Sequence, residues 1–402
     1  MVREALALGA HRGAESAEPA ARLRSKDALR DLPMRLLFGW LVLTKPALPR
    51  ILAYEYATRS QRTIVLTVTR KPAADYSTGT IYPVLSTLEL CAGAGGQALG
   101  LEQAGIGHAG LIEIDSHACA TLRLNRPHWK VLEQDLTALT DASAFKGVDI
   151  VSGGLPCPPF SKAGKQLGHK DERNLFPAAI HIVDQLRPRA VMIENVRGIL
   201  DAVFEDYRNH IAGKLEKLGY VTDWRLLNAS DFGVPQLRPR VVFIAIQSDY
   251  ADRFSWPEPL PETPKSVGDV LYDLIAANGW RGAKAWKKRA SEIAPTIVGG
   301  SKKHGGPDLG PTRAKRAWQA LGVNGHLLAD EPPARDFVGM PCLTVPMVAR
   351  LQGFPDSWKF TGRKTNAYRQ VGNAFPPPVA CAVAQQLVAC LTSRRLAASM
   401  AG

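Results

Sequence analysis

The feature that most constrains this chain is an alternation of short apolar runs with helical patterns between residues 86 and 246. Strand-like runs that alternate with amphipathic helices are typical of βαβ units, whose parallel strands share one sheet. The sequence therefore predicts a doubly wound α/β sheet, which binds ligands beyond the carboxyl ends of its strands. The runs are Thr87–Ala92, Leu111–Asp115, Trp129–Leu132, Val148–Val151, Ala190–Ile193 and Arg240–Ile246.

One of these runs leads into a turn rich in glycine and proline, Gly153–Ser161. The strand must end there, because proline has no N–H to donate and glycine adopts unusual dihedral angles. Cys157 is therefore expected on a stiff loop at the carboxyl end of a strand. A cysteine in an intracellular protein is usually an incidental small apolar residue, whereas three surrounding prolines favour a sulfur that is aimed as a nucleophile.

A second turn, Gly93–Gly96, joins the first run to a helix predicted over Gln97–Gly105. Glycines at such a turn let a nucleoside ligand approach the backbone and the helix N-terminus. Glu113 follows twenty residues after Gly93, where an acid accepts hydrogen bonds from ribose hydroxyls. Together they favour a ligand that contains adenosine. The alternative is that Glu113 caps the helix that begins near Ser116.

Two further acids follow strands of the predicted sheet. Asp135 either contacts an adenine amino group or caps the next turn, and Glu194 brings a carboxylate to a strand end near Cys157. A cysteine protease would need a histidine base, and none of the nine histidines lies in a recognisable context near a strand end. A dehydrogenase would use the glycine turn, but it would have no obvious need of a rigid Pro-Cys loop.

The formal net charge of +13 suggests a polyanionic partner, although a basic balance also fits a merely soluble surface. Ten lysines and arginines lie between Arg281 and Arg316, against two acids. Such a cluster around a glycine-rich loop suits a phosphate backbone, and the alternative is a solvated face. Three tryptophans could add apolar contacts to that partner: Trp280, Trp286 and Trp318.

Six cysteines without a C-x-x-C pair argue against a structural zinc site or a disulfide framework, so we expect no metal and a cytosolic protein. The apolar run Leu36–Leu43 is too short to span a bilayer, and no membrane association is expected. Residues 1–82 carry no motif with chemistry. We interpret them as a peripheral, partly disordered extension, or as sequence upstream of a later translation start.

Six motifs in this chain resemble, in order, those of the DNA (cytosine-5) methyltransferases. Any one of them could occur by chance, but six in the correct order are highly specific. The resemblance covers about residues 85–395. The motifs are Glu89–Gly96, Pro156–Cys157, Glu194–Val196, Gln236–Arg240, Arg350–Asp356 and Gln370–Asn373.

The resemblance implies a Rossmann-like, S-adenosylmethionine-dependent methyltransferase sheet with a smaller inserted target-recognition domain. The catalytic domain is expected over residues 83–250, the inserted domain over 251–365, and a segment that returns to the catalytic domain over 366–396. The implied reaction methylates C5 of a cytosine flipped out of a specific sequence in double-stranded DNA. The implied setting is bacterial restriction-modification, with a monomer in the bacterial cytosol and a cognate restriction endonuclease as a possible partner.

The resemblance also assigns catalytic roles. Cys157 would attack cytosine C6 and thereby make C5 nucleophilic. Glu194 would hold or protonate N3, and Asn195 would help to hold the loop. Arg240, with Arg238 nearby, would bind the base O2 and phosphates.

In the donor site the resemblance places the glycines against the methionine part, Glu113 at the ribose and Asp135 at the adenine. Two departures stand out: Cys91 replaces a usual aromatic residue, and Pro158 replaces a commoner polar one. The residues placed around the donor are Cys91, Gly93, Gly95, Gly96, Glu113, Asp135, Pro156 and Asn373.

Two alternatives stay open. A methyltransferase of this kind could act on RNA, but a tRNA substrate would need no long target-recognition insert, so the basic block argues mildly against it. A non-catalytic DNA-binding protein of the same fold would be expected to lack Cys157 or Glu194, and both are present.

Overall fold

The computed structural model describes residues 51–57, 62–68, 85–156, 174–300 and 306–400. The chain divides into two compact units, Met1–Thr80 and Ile81–Gly402. In the first unit, β1 (Ile51–Ala57) and β2 (Arg62–Val68) form an antiparallel hairpin. The rest of the predicted N-terminal extension lies outside the described residues.

The second unit is built on a seven-stranded sheet with the order β5-β4-β3-β6-β7-β9-β8. The first five strands in this order are parallel. At one edge β9 pairs antiparallel with β7, and β8 pairs antiparallel with β9. The predicted α/β sheet is confirmed. The strands are β3 (Ser86–Leu90), β4 (Gly107–Glu113), β5 (Val131–Glu133), β6 (Ile150–Gly154), β7 (Ala190–Val196), β8 (Tyr220–Asn228) and β9 (Pro239–Gln247).

Helices connect and cover these strands. Those that follow the sheet strands are α1 (Gly96–Gln103), α2 (Ser116–Asn125), α3 (Phe176–Leu186), α4 (Glu205–Glu216) and the short α5 (Ser248–Ala251). The later helices are α6 (Val267–Ile275), α7 (Ala283–Arg289), α8 (Thr312–Ala320), α9 (Val345–Leu351), α10 (Lys364–Asn373) and α11 (Pro377–Met400).

The strand order places the site. From β3 the chain proceeds outward through β4 to β5, and it then returns to the other side of β3 to form β6. The carboxyl ends of β3 and β6 therefore flank the point where the strand order reverses, which is where open α/β sheets bind ligands. The glycine turn follows β3, and the Pro-Cys loop follows β6.

The predicted contacts of three tryptophans with a polyanionic partner are wrong. Trp280, Trp286 and Trp318 are at most 8% exposed. They belong to an apolar cluster that also contains Leu111 and Leu122, which lie on β4 and α2. Burying large indole rings removes more apolar area from water than a surface contact would, so these side chains attach the later helices to the sheet.

The C-terminal helix α11 returns to the sheet and packs on α1. A side chain at Gly100 would meet Ala380 Cβ and Pro377 O, each at 2.5 Å. One apolar stretch in the described residues, Lys364–Ser393, passes a length-and-hydropathy test for a membrane span, but 56% of its apolar window is buried inside the fold. Soluble core helices pass the same test.

Candidate active site

Two glycines end β6 and shape the floor of the crevice. A side chain at Gly153 would meet Leu90 O at 2.5 Å, because β6 packs tightly beside β3 at this level. Gly154 is different, since a Cβ there would lie 3.5 Å from Glu194 Oε2 and 3.8 Å from Cys91 O. The end of β6 is thus flanked by the Glu194 carboxyl on one side and by the start of the glycine turn on the other.

Glu194 and Arg240 form a buried ion pair. Arg240 Nε lies 2.8 Å from Glu194 Oε1, and the two side chains are 12% and 6% exposed. The pairing follows from the antiparallel register of β7 and β9, in which Arg240 lies opposite Val196, so that Glu194 is its diagonal neighbour on the same face. The site therefore contains a carboxyl whose second oxygen is directed at the end of β6.

Burial raises the pKa of Glu194, and the positive charges of Arg240 and Arg238 offset this only partly. Desolvation disfavours the ionised form of a carboxyl, whereas a nearby guanidinium favours it. A carboxyl with a raised pKa is suited to holding a proton or a strong hydrogen bond on a ring nitrogen.

Asn195 contacts the loop that leads to the cysteine. Its Nδ2 donates to Leu155 O at 3.4 Å, and its Oδ1 accepts from the backbone N–H of Val196. Pro156 follows Leu155 and is half-buried. Cys157 and Pro158 lie outside the described residues, so their predicted positions stay predictions.

Arg238 is fully buried, with its guanidinium directed at backbone carbonyls. It donates to Ile297 O at 2.6 Å, to Gly372 O at 2.8 Å and to Ala374 O at 2.9 Å. This arrangement does not match the expected contact of Arg238 with a base or phosphate. The side chain instead joins β9, the segment around residue 297 and the end of α10.

Two glutamines beside Arg238 belong to the same buried network, and sequence reasoning assigned them no role. Gln236 Nε2 donates to Gln352 Oε1 at 2.6 Å, and Gln236 Oε1 accepts from the backbone of Ile297. Gln352 Nε2 in turn donates to Ala374 O at 2.7 Å. Both glutamines lie within the quoted motifs, but the sequence offered no signal that they would bond to each other.

The glycine turn after β3 has an unusual backbone. Cys91, Gly93 and Gly95 have φ values of 52°, 55° and 87°, in the left-handed region that non-glycine residues rarely adopt. A Cβ at Gly95 would lie 2.7 Å from Leu122 and 2.9 Å from Trp358, whereas one at Gly93 would meet nothing within 4 Å. The turn is therefore packed against the core at Gly95, whereas the space next to Gly93 is open.

Glu113 is 8% exposed and supports this turn. Its Oε2 accepts from the backbone N–H of Gly93 at 2.7 Å, and its Oε1 accepts from the N–H groups of Ile114 and Asp115. Helix α2 is capped by Asp115, whose Oδ1 accepts from His117 and Ala118. Glu113 is therefore not the cap of α2, and its carboxyl is directed at the glycine turn.

Burial raises the pKa of Glu113, although its backbone hydrogen bonds oppose the shift. Asp135 is exposed and accepts from Thr137 N and Thr137 Oγ1, which lowers its pKa. Asp135 thus caps the turn that follows β5, and its exposure is compatible with a further contact to a ligand.

Two further predicted donor residues, Gly96 and Asn373, make contacts with later segments of the chain. Gly96 packs under the C-terminal segment, since a Cβ there would lie 2.2 Å from Phe375 O. Asn373 is exposed, and its Nδ2 donates to Gly300 O at 3.3 Å. Ile114, which was not predicted, follows Glu113 with 63% of its side chain exposed.

These residues fit an adenosine-containing sulfonium donor. The open face of Gly93 admits a ligand close to the backbone, and Glu113 supplies carboxylate oxygens for ribose hydroxyls. Ile114 offers an apolar surface for a base. In the described part of the chain, no group of three or more histidine, cysteine or acidic side chains is placed to hold a metal ion.

A basic surface lies on α7 and α8. Four cations there are exposed and make no ion pair among the described residues: Lys284, Lys288, Arg313 and Arg316. Others are engaged, since Lys287 pairs with Asp269 at 3.0 Å and Lys315 pairs with Asp308 at 3.0 Å. Lys302, Lys303 and His304 lie outside the described residues.

The fold and the crevice define a class: a methyltransferase-type α/β sheet with an acid, an arginine and a glycine turn at its ligand-binding edge. A family model described as C-5 cytosine-specific DNA methylase matches residues 85–389. The chain belongs to this family and is a cytosine-5 DNA methyltransferase.

Named relatives agree with this assignment. The chain is 53% identical over 313 residues to the Type II methyltransferase M.NgoMIV of Neisseria gonorrhoeae. This alignment covers 76% of this chain and 98% of that protein. It is 54% identical over 312 residues to M.NaeI of Lentzea aerocolonigenes, covering 76% and 75%. A solved structure of a candidate DNA modification methyltransferase from an Escherichia coli prophage is 25% identical, with a TM-score of 0.55, and covers 77% and 100%.

Proposed function

We propose that this enzyme methylates C5 of a flipped-out cytosine in a specific sequence of double-stranded DNA, through a covalent bond between Cys157 and cytosine C6. The observation that carries the proposal is the Glu194–Arg240 pair of β7 and β9, whose carboxyl faces Gly154 at the end of β6. In the sequence, Cys157 follows soon after Gly154. We infer from this arrangement that an acid and a guanidinium lie close to the loop that carries the thiol.

Cytosine C5 is a poor nucleophile. Addition of the Cys157 thiolate to C6 converts the ring to an enamine, provided that charge at N3 is neutralised as the bond forms. Glu194 has a raised pKa and is suited to protonate or hydrogen-bond N3, while the Arg240 fork binds O2. After methyl transfer, a base removes the C5 proton and the electron pair expels the Cys157 sulfur.

The loop that bears the thiol needs to be held. Asn195 supports it through Leu155 O, and the prolines on either side of Cys157 restrict its backbone. Arg238 acts indirectly. Its hydrogen bonds to three backbone carbonyls fix the start of β9 and hence the position of Arg240. We therefore assign Arg238 a positioning role.

S-adenosylmethionine supplies the electrophilic methyl group when it is bound. Glu113 would accept hydrogen bonds from its ribose hydroxyls, and Gly93 leaves room for its methionine part. Asp135 would contact the adenine, with Ile114 and Cys91 on its faces. Gly95 and Gly96 keep the turn in shape, Pro156 borders the cofactor, and Asn373 closes the pocket from the C-terminal side.

We further propose that residues 251–365 form the target-recognition domain between the catalytic segments 83–250 and 366–396. The exposed cations of α7 and α8 would bind DNA phosphates there. A restriction endonuclease for the same site is the expected partner, with a monomeric methyltransferase in the bacterial cytosol.

Expression in a host that lacks cytosine methylation, followed by bisulfite sequencing of its DNA and RNA, tests the proposal. We expect cytosines that resist bisulfite conversion in one short DNA sequence context and none in RNA. Protection confined to RNA would favour the alternative substrate, and protection in neither would favour a non-catalytic DNA-binding protein.

A matched pair of variants tests the covalent step. Cys157→Ser should abolish transfer of tritiated methyl groups while donor binding persists, because a serine hydroxyl is a far weaker nucleophile at neutral pH. Cys342→Ser replaces a half-buried thiol elsewhere and should retain activity. Unchanged turnover of Cys157→Ser would overturn the nucleophile assignment.

A further inference from the structure

We propose that Trp358 is a positioning residue for the donor turn, acting through the Ala94 carbonyl and Gly95. The inference rests on the proposed donor site at Gly93. Trp358 lies in the segment between α9 and α10, far along the chain from that turn. Its indole Nε1 nevertheless donates to Ala94 O at 3.2 Å.

The turn needs such support. Three of its residues have positive φ, and for Cys91, which has a Cβ, that conformation is strained and persists only if the surroundings enforce it. On the side of the sheet, two hydrogen bonds hold the turn: Gly93 N donates to Glu113 Oε2, and Ala92 N donates to Ile112 O. The opposite side is supplied by Trp358, whose ring fills the space that a Gly95 side chain would need.

Trp358 is itself held firmly. It is 4% exposed, and its ring centroid lies 6.2 Å from that of Trp129 and 6.0 Å from that of Phe354. The Arg126 guanidinium lies 5.2 Å from the ring centroid and is fixed by a two-pronged contact with Glu102. The indole is therefore a rigid support rather than an adaptable one.

The next residue, Lys359, is hydrogen-bonded to the end of helix α2. Asn125 Nδ2 donates to Lys359 O at 2.7 Å, and Lys359 N donates to Asn125 Oδ1 at 2.8 Å. These two bonds fix the backbone beside Trp358 against the end of α2. The tryptophan therefore transmits the position of this segment to the turn, without touching the donor itself.

The test is Trp358→Phe, which keeps an aromatic ring in the core but removes the N–H donor and the outer ring atoms that contact Gly95. The matched control is Trp256→Phe, since Trp256 is also buried and its Nε1 donates to Asp223 Oδ2 at 2.6 Å, beside the far edge strand β8. Titration calorimetry with S-adenosylhomocysteine should show about threefold to tenfold weaker binding for Trp358→Phe and no change for Trp256→Phe.

Two further readouts separate positioning from general destabilisation. Hydrogen exchange followed by mass spectrometry should show faster exchange in the peptide around residues 91–99 in Trp358→Phe only. In steady-state assays the KM for the donor should rise while kcat at saturating donor is retained. Equal effects in the two tryptophan variants, or donor binding unchanged in Trp358→Phe, would overturn the inference.

If Trp358→Phe does not fold, Asn125→Ala takes its place, because it loosens the same segment from a half-buried position. It should also weaken binding of S-adenosylhomocysteine, and unchanged binding would overturn the inference. Failure of the wild-type protein to bind S-adenosylhomocysteine would instead overturn the proposed donor site, so the two failures are distinguishable.

Discussion

Glu194 and Arg240 lie on adjacent antiparallel strands, two residues out of direct register, and this offset brings Arg240 Nε to 2.8 Å from Glu194 Oε1. The pair uses one oxygen of the carboxyl. The other oxygen is directed at Gly154, the last residue of β6. The carboxyl is thus held by the neighbouring strand β9 while its other oxygen faces the end of β6.

Glu194→Gln should lower kcat by about 10²-fold to 10⁴-fold, because an amide can donate a hydrogen bond to N3 but cannot deliver a proton. DNA affinity should change little. Single-turnover methyl transfer measures the chemical step directly. Glu133→Gln removes an exposed carboxylate that pairs with Arg123 and should leave the rate intact. Equal rates for Glu194→Gln and the wild type would contradict the acid role.

The two arginines of β9 should behave differently. Arg240→Lys should lower kcat/KM by about tenfold to a hundredfold, since it removes the guanidinium proposed to bind the cytosine base. Its free energy of unfolding should stay at the wild-type value. Arg238→Met should instead reduce the free energy of unfolding by about 3 kcal/mol or more, because it leaves buried carbonyls without donors. Denaturant titration and kinetics of both variants check this contrast, and an Arg238→Met protein of normal stability would refute it.

Adjacent glycines offer a second contrast. Gly154→Ala places a methyl group at ordinary contact distance from Glu194, so we expect normal stability but slower methylation as the methyl group crowds the substrate side. Gly153→Ala drives a methyl group to 2.5 Å from Leu90 O and should destabilise the fold by about 1–3 kcal/mol. Thermal unfolding beside single-turnover rates distinguishes the two effects. A Gly154→Ala enzyme with full activity would exclude crowding at this position.

Donor binding should weaken on acidification. Burial raises the pKa of Glu113, so as the pH falls through that raised value the carboxylate gains a proton and becomes a weaker acceptor for ribose hydroxyls. Calorimetric titration with S-adenosylhomocysteine across this range should show the weakening in the wild type. Glu113→Gln should bind more weakly and with a flatter pH profile, and an equally steep profile in that variant would assign the effect to another group.

The basic surface predicts salt-dependent DNA binding. Replacing Lys284, Lys288, Arg313 and Arg316 with alanine should flatten the slope of log K against log salt by about 0.9 for each DNA phosphate that is no longer neutralised. Lys217→Ala, an exposed cation on the turn after α4, should leave the slope unchanged. Fluorescence anisotropy at several salt concentrations measures the slopes, and identical slopes would remove this surface from the interface.

Much of the sheet and the site could be predicted from sequence, because local patterns encode both. Glycines indicated the turn after β3, and apolar runs indicated the strands that carry Glu113 and Glu194. The fate of Arg238 could not be predicted, since its carbonyl partners lie about 60 to 136 positions away in the chain. The prediction that Trp280, Trp286 and Trp318 contact a polyanionic partner was wrong, because composition does not show which side chains face the core.

The contact between Gly96 and the backbone around Phe375 links activity to synthesis. The donor turn follows the first strand of the sheet, yet the atoms that pack against Gly96 belong to Ala374 and Phe375, far along the chain. A growing polypeptide on the ribosome lacks this contact until Phe375 has been synthesised. Products that terminate before Phe375 should therefore bind the donor poorly and leave DNA unmethylated.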